Sequence, residues 1–379
     1  MKWVSIYGNA QSMIMPHPAV YAKDVTLRYP LFIPFGGDKV RIRLENFCGR
    51  EDVEIESVYI SLGDSLSDFQ KPNGKYVSFN NCQKVIIKAG GSVVSDELSF
   101  VTNPNQYLIV SIYLKEYTNM TSGVNIIGPL SKGYFAYGDQ SEFATLDINT
   151  STKTNWVHFL TNVDILTNDN NYAIVCFGDS ITSQDWPDYM MLRLRECDIN
   201  NVSVIRKAVS GTRILREYDC ITYQSYGLKG EKRFVHEVMN VSGAKTLIIQ
   251  HGINDIIHPV GEEVNIFRPM SDMPTFEDLK SGINYYLSEA QKLGLNTYVG
   301  TLVPIYNWRT YAKFREDLKN EFNQYLLSLP HIDFNNEIGE LVDGEYHFKA
   351  NCDSGDHLHP SKYAYKLMGE LAVKTLFNK

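Results

Sequence analysis

From about residue 170 onward the sequence alternates unbroken apolar runs of strand length with amphipathic stretches of helix length, and this alternation most constrains what the chain can fold into. The polar run Thr167-Asn168-Asp169-Asn170-Asn171 leads into Tyr172-Ala173-Ile174-Val175-Cys176-Phe177. A strand reads this way when both of its faces are covered. Further strand candidates are Val202 to Ile205, Thr246 to Ile249, Thr297 to Leu302 and Ile332 to Phe334. Helical patterns lie between them. Trp186, Met190 and Leu194 fall on one face, with Pro187 in the first turn. Phe276 to Leu293 and Tyr311 to Leu327 are longer helix candidates, and Tyr363, Leu367 and Leu371 mark the expected core face of a last helix. Strand and helix in alternation imply a parallel sheet with helices on both sides, an α/β fold.

The first 150 or so residues read differently. Short runs rich in Val, Ile, Tyr and Phe, such as Val40 to Leu44, Val53 to Ile60 and Tyr107 to Leu114, are separated by turn residues, and no amphipathic helix of useful length interrupts them. Many short strands with frequent turns suggest a β-sandwich or jelly roll. With 379 residues, the chain suits two domains. The expected division is a β-sandwich, jelly-roll-like domain over 1–165 and an α/β domain over 170–379.

Charge and composition exclude several classes. The 36 basic and 44 acidic side chains give a net charge of -8, whereas nucleic-acid binding needs clustered Lys and Arg. No apolar stretch reaches the ~20 residues a membrane helix needs, so no membrane role is expected. Six cysteines are present with no CxxC spacing, and they read as free thiols. The N-terminus carries no apolar segment like that of a signal peptide, and a cytoplasmic location is the expectation.

In an open α/β sheet, sites form beyond the carboxyl ends of the strands. The first such strand ends in Gly178-Asp179-Ser180-Ile181-Thr182, which places Ser180 at the mouth of the following helix. A serine needs a base to act as a nucleophile. The last loop offers one in Asp353-Ser354-Gly355-Asp356-His357-Leu358-His359-Pro360. Asp356, three residues before His359, can accept a hydrogen bond from the imidazole and fix its tautomer, leaving the other ring nitrogen for the serine. Asp353 competes with Asp356 for this role, and His357 with His359. Oxyanion donors are available from Gly252-Ile253-Asn254-Asp255 through the Asn254 amide, and from Ser210-Gly211-Thr212 through the Gly211 backbone N–H, beside that of Ser180 itself.

In this order and at these positions the blocks resemble those of the SGNH/GDSL hydrolases, over about residues 172–379. The resemblance carries Ser, Gly, Asn and His onto Ser180, Gly211, Asn254 and His359, with Asp356 as the carboxylate. His359 stands before Pro360 and three after Asp356, as the family pattern requires. The resemblance implies a flavodoxin-like hydrolase domain with a five-stranded parallel sheet, a serine esterase activity and no cofactor. The N-terminal part, in segments such as Val40 to Gly49 and Gly91 to Asp96, is similar to the β-domain attached to bacterial carbohydrate acetylesterases, including acetylxylan esterases. That similarity implies an acetylated plant-type oligosaccharide, or another small acyl ester, as the substrate, and leaves a homo-oligomer possible. Rival readings are a lysophospholipase- or thioesterase-like enzyme with the same residues, and a glycan-binding protein with an inert hydrolase domain.

A literal Gly63-Asp64-Ser65-Leu66 also occurs. Pro72-Asn73-Gly74 follows it where a helix is needed, so it reads as a surface loop. Trp186, Tyr306 and Trp308 lie just beyond strand ends and are candidates for stacking on a sugar, and His251 is a candidate for lining the pocket. Each has an equally good reading as packing. Asp356, His357 and His359 lack a further ligand set, so no metal is expected. Neither GxSxG nor GxxxxGK[ST] nor HExxH occurs.

Overall fold

In a computed structural model, residues 1–14, 21–64, 74–146 and 151–379 are described. The chain divides into two compact units. One comprises Met1–Ala173 with Asn200–Ile205 and Val241–Ala244; the other comprises Ile174–Ile199, Arg206–Asn240 and Lys245–Lys379.

The N-terminal part is mostly strands. Tyr107–Leu114 lies between Val25–Phe32 and Ser57–Gly63 in a six-stranded sheet, antiparallel to both. Its Leu108 to Ile112 are all buried, as the apolar run requires. A five-stranded antiparallel sheet is built around Gly37–Glu45, which pairs with Leu160–Thr167. The apolar run expected as one strand over Val53 to Ile60 is broken at Glu56, giving Val53–Ile55 and Ser57–Gly63. Of the literal GDSL segment, Gly63 closes a strand, while Ser65 and Leu66 lie outside the described residues.

The C-terminal part is α/β. Its parallel sheet contains β1 (Tyr172–Gly178), β2 (Val202–Ala208), β3 (Ala244–Gln250), β4 (Asn296–Gly300) and β5 (His331–Ile332), in the order β2-β1-β3-β4-β5. This is the flavodoxin-like doubly wound order, in which the strand order reverses beside β1, and ligands bind at such a switch point. Six residues of β1, Ala173 to Gly178, are buried, so the apolar run is covered on both faces. The helices are α1 (Ser180–Ser183), α2 (Trp186–Glu196), α3 (Gly230–Met239), α4 (Ile253–Ile257), α5 (Phe276–Lys292), α6 (Lys313–Leu327), α7 (Phe334–Ile338) and α8 (Lys362–Phe377). Thr275 and Asp278 form a capping box at the start of α5, satisfying two backbone donors reciprocally.

Two expectations are corrected here. The core face of α8 is Ala364, Tyr365, Met368, Ala372 and Val373, not Tyr363, Leu367 and Leu371; Tyr363 is 55% exposed. The reason is close helix packing. A Cβ at Gly369 would come within 2.6 Å of the Met190 backbone nitrogen in α2, so α8 turns the face that carries this glycine toward α2. The segment Ile332 to Phe334 is not one strand either. Asp333 caps α7 through the Asn336 N–H, and the chain leaves the sheet after Ile332.

Among the described residues, no helix is long and apolar enough to cross a membrane, and all six cysteines are free.

Candidate active site

At the end of β1 the chain turns sharply. Asp179 caps α1, its Oδ1 accepting from the Ile181 N–H at 3.0 Å. Buried Arg233, from α3, donates to the Gly178 carbonyl at 2.6 Å, and the Val209 N–H donates to the same oxygen at 3.2 Å. These bonds fix the turn that carries Ser180, whose residue surface is 8% exposed.

From the far end of the chain, the loop before α8 meets this turn. His359 Nε2 lies 2.9 Å from Ser180 Oγ, and His359 Nδ1 lies 2.6 Å from Asp356 Oδ2. The imidazole donates from Nδ1 to the carboxylate and accepts the serine O–H at Nε2, the arrangement that base activation of a serine needs. Asp356 Oδ1 accepts from the backbone N–H groups of Leu358 at 3.0 Å and His359 at 2.8 Å, and from Ser354 Oγ at 3.2 Å. Partial burial pushes the Asp356 carboxyl up. The hydrogen bonds from the His359 ring and backbone outweigh it and hold the group well below the usual carboxylate range. The competing pair is separate: Asp353 Oδ2 pairs with His357 Nδ1 at 2.6 Å.

Gly211 and Asn254 sit in one hydrogen-bonded unit. Asn254 Nδ2 donates to the Thr212 carbonyl at 3.0 Å, which leaves its second N–H for another acceptor. Asp255, beside it, accepts from the Ile214 N–H at 2.7 Å and the Leu215 N–H at 3.1 Å. The loop after β2 is thereby tied to the loop after β3. Ser210 Oγ lies 2.9 Å from Ser183 Oγ, one turn beyond Ser180. Gly211 has φ +81°, and a Cβ there would lie 2.1 Å from the Tyr226 ring. Both the backbone conformation and the close approach require glycine.

The proposed sugar-stacking and pocket residues part company. Trp186 is wholly buried and packs on Phe334 with ring centroids 5.4 Å apart. Standing in the first turn of α2, it faces the core and has no face left for a sugar, which corrects that expectation. His251 is also buried. Its Nε2 donates to the Thr212 carbonyl at 3.3 Å and its Nδ1 accepts from the Tyr286 hydroxyl at 3.1 Å. Burial, with Arg233 nearby, lowers its pKa well below the ordinary value, so it is a neutral brace rather than a pocket-lining group. Half-buried Tyr306 stacks on His347 at 3.8 Å. Half-buried Trp308 meets the site, edge-on to the His359 ring at 6.5 Å.

Sequence reasoning passed over Tyr218, Tyr223 and Tyr226, which cluster beside Gly211. The available signal was their density, three tyrosines in nine residues directly after the glycine block. No group of His, Cys, Asp or Glu among the described residues could hold a metal ion.

The profile of the GDSL-like lipase/acylhydrolase family matches residues 174–372. The chain belongs to this family. Carboxylic ester hydrolysis is the activity that membership in the GDSL-like family implies. No curated protein matches the sequence. Solved structures similar to this chain include a GDSL-like lipase from Bacteroides thetaiotaomicron, with 15% identity and a TM-score of 0.38 over 54% of this chain and 87% of that one. An acetyl xylan esterase from Geobacillus stearothermophilus has 14% identity and a TM-score of 0.41 over 55% and 97%. An inhibitor-bound aryl esterase of M. smegmatis has 16% identity and a TM-score of 0.38 over 55% and 99%.

Burial also bears on Asp179 of this GDSL-like site. It raises the carboxyl from 3.8 to about 7, against the opposing hydrogen bond from the Ile181 N–H. One carboxylate oxygen has no hydrogen-bond partner among the described residues. An acid whose folded pKa is raised is destabilising above its unfolded pKa, so stability from this group is lost as pH rises from about 4 to about 7. Asp179→Asn keeps a capping oxygen and removes the titration. The difference in unfolding free energy, variant minus wild type, is therefore expected to rise by roughly 2–4 kcal/mol between pH 4 and pH 8. Parallel pH–stability curves from denaturant titration would refute this assignment.

Proposed function

We propose that the protein is a serine esterase that removes short acyl groups, acetyl above all, from plant-type oligosaccharides such as acetylated xylan fragments. The reading is carried by the unbroken hydrogen-bond chain from Ser180 Oγ through the His359 ring to Asp356. In the first step Ser180 Oγ attacks the ester carbonyl carbon while His359 Nε2 takes the hydroxyl proton. Asp356 stabilises the imidazolium and holds its orientation. The N–H groups of Ser180 and Gly211, with the free N–H of the Asn254 amide, receive the negative oxygen. On collapse the carbon–oxygen bond to the alcohol breaks, and the alcohol leaves with the proton from His359 Nε2. Water then attacks the acyl-serine carbon while His359 Nε2 takes its proton; the carbon–oxygen bond to Ser180 breaks, the carboxylic acid departs, and Ser180 Oγ takes the proton back from His359.

The carbohydrate part of the reading draws on the resemblance of the N-terminal segments to acetylesterase β-domains, and on Trp308. Its half-buried ring stands beside His359, the side on which the alcohol must leave, and an aromatic face suits a sugar. Acetate release from acetylated xylan, mannan, pectin and simple acetylated sugars tests this directly. Release from acetylated xylan oligomers, absent with Ser180→Ala, is expected. Cleavage of p-nitrophenyl acetate without acetate release from any carbohydrate would overturn the substrate class. A lysophospholipase- or thioesterase-like enzyme is the second reading, favoured by the exposed Ile221, Val264, Ile266 and Phe267 side chains on the loops after β2 and α4.

A further inference from the structure

The loops that follow β2 and α4 carry aromatic rings that the chemistry above does not use. Tyr226 stacks on His258 with centroids 5.2 Å apart. Tyr223 lies 5.5 Å from Tyr226 and 4.7 Å from Tyr218. The Tyr218 hydroxyl is 3.1 Å from His258 Nδ1, and the Arg213 guanidinium covers the Tyr218 ring at 4.3 Å. Asn265 Nδ2 donates to the Tyr223 hydroxyl at 2.7 Å. The three tyrosines are half-buried. The cluster is thus braced from behind and keeps an open side.

Its position relative to the proposed oxyanion site decides its use. The Tyr226 ring fills the space that a side chain at 211 would take, with ring atoms 2.1–2.5 Å from where a Cβ would stand. In the tetrahedral intermediate, one substituent of the carbon is Ser180 Oγ and another is the oxyanion, directed at the Gly211 N–H. The third, the departing alcohol oxygen, must face His359 Nε2 to receive its proton, on the side where Trp308 stands. The acyl chain takes the remaining direction, next to the oxyanion and away from His359. An aromatic ring laid against Gly211 stands beside the oxyanion donor, and so next to that direction.

We infer that Tyr226 sets the acyl-chain length this site accepts, its ring forming the wall that stops chains much longer than acetyl. The inference rests on the reading of Ser180 as nucleophile and Gly211 as oxyanion donor. His258, Tyr218 and Tyr223 hold the ring in place, so the wall does not yield to a longer chain without breaking the cluster.

The test uses p-nitrophenyl acetate, butyrate and hexanoate, which share one leaving group and so leave the alcohol side constant. Wild type is expected to lose activity steeply along the series. Tyr226→Ala should raise the hexanoate-to-acetate ratio of kcat/KM at least ~10-fold, the order of discrimination that one or two methylenes give in a closed pocket. Tyr226→Phe should keep the wild-type ratio, since the wall is the ring and not the hydroxyl. Trp308→Ala should lower rates on all three esters and leave the ratio in place. An unmoved ratio in folded Tyr226→Ala overturns the inference, as does an equal shift in Trp308→Ala. Should Tyr226→Ala fail to fold, Tyr226→Leu replaces it, with a smaller rise supporting the wall and none refuting it. Fluorophosphonate labelling separates the layers. Labelled Ser180 with an unmoved ratio removes Tyr226 alone, whereas an unlabelled Ser180 removes the esterase reading and the wall with it.

Discussion

Ser180→Ala is expected to abolish hydrolysis of p-nitrophenyl acetate and to leave the protein folded. The hydroxyl makes its hydrogen bond to His359 Nε2, and among the described residues no other bond that shapes the turn depends on it. The turn is held by the Asp179 cap and by Arg233 on the Gly178 carbonyl. Removing the nucleophile should therefore cost at least ~10⁴-fold in kcat, since the residual rate comes only from binding and oxyanion donors. The melting temperature should move by no more than about 2 °C, as no buried packing is lost. Absorbance at the nitrophenolate band and far-ultraviolet circular dichroism measure the two together. Turnover above about 1% of wild type, far beyond the residue such variants retain, would remove Ser180 from the reaction.

Asp356→Asn is the second large effect, and it works through the imidazole. In the wild type, Oδ1 already accepts from Ser354, Leu358 and His359, while Oδ2 receives the His359 Nδ1–H. An asparagine that keeps the first set must turn its NH₂ toward Nδ1. The imidazole then has to present a lone pair there and carry its proton on Nε2, where it can no longer accept the serine O–H. A loss of roughly 10³–10⁴-fold in kcat follows, with KM little changed. A loss below about tenfold would show that the carboxylate neither orients nor stabilises the ring. The wild-type carboxylate is held well below the ordinary range, so Asp356 should cause no loss of activity at or above about pH 4.

Much of the α/β part was readable along the chain, because local pattern reports local burial. The run Tyr172 to Phe177 is apolar at every position since both faces of β1 are covered, and α5 and α6 appear within two residues of their expected bounds. Short elements escaped notice. The five residues of α4 and of α7 are too few to show a helical period. The strand order and the face that α8 turns inward are tertiary facts, and the latter is settled by a glycine meeting the α2 backbone. At the site, Ser180, Gly211, Asn254 and His359 each stand in a motif with a chemical reason for its residue types. The aromatic residues do not. Trp186 and Trp308 are both tryptophans just past strand ends, yet one is sealed in the core and the other flanks the imidazole. Only the fold distinguishes them. The tyrosines beside Gly211 act as a group through ring contacts, which have no fixed spacing in sequence.

Base and orienting carboxylate lie on one short stretch of backbone, three residues apart. Their alignment is consequently a local property, established as soon as that loop closes its own hydrogen bonds. The hydroxyl arrives from 179 positions away and depends on the whole sheet being assembled. Loosening of the fold would thus part serine from imidazole while the imidazole still held its carboxylate, so the integrity of the reactive centre follows that of the sheet as a single event.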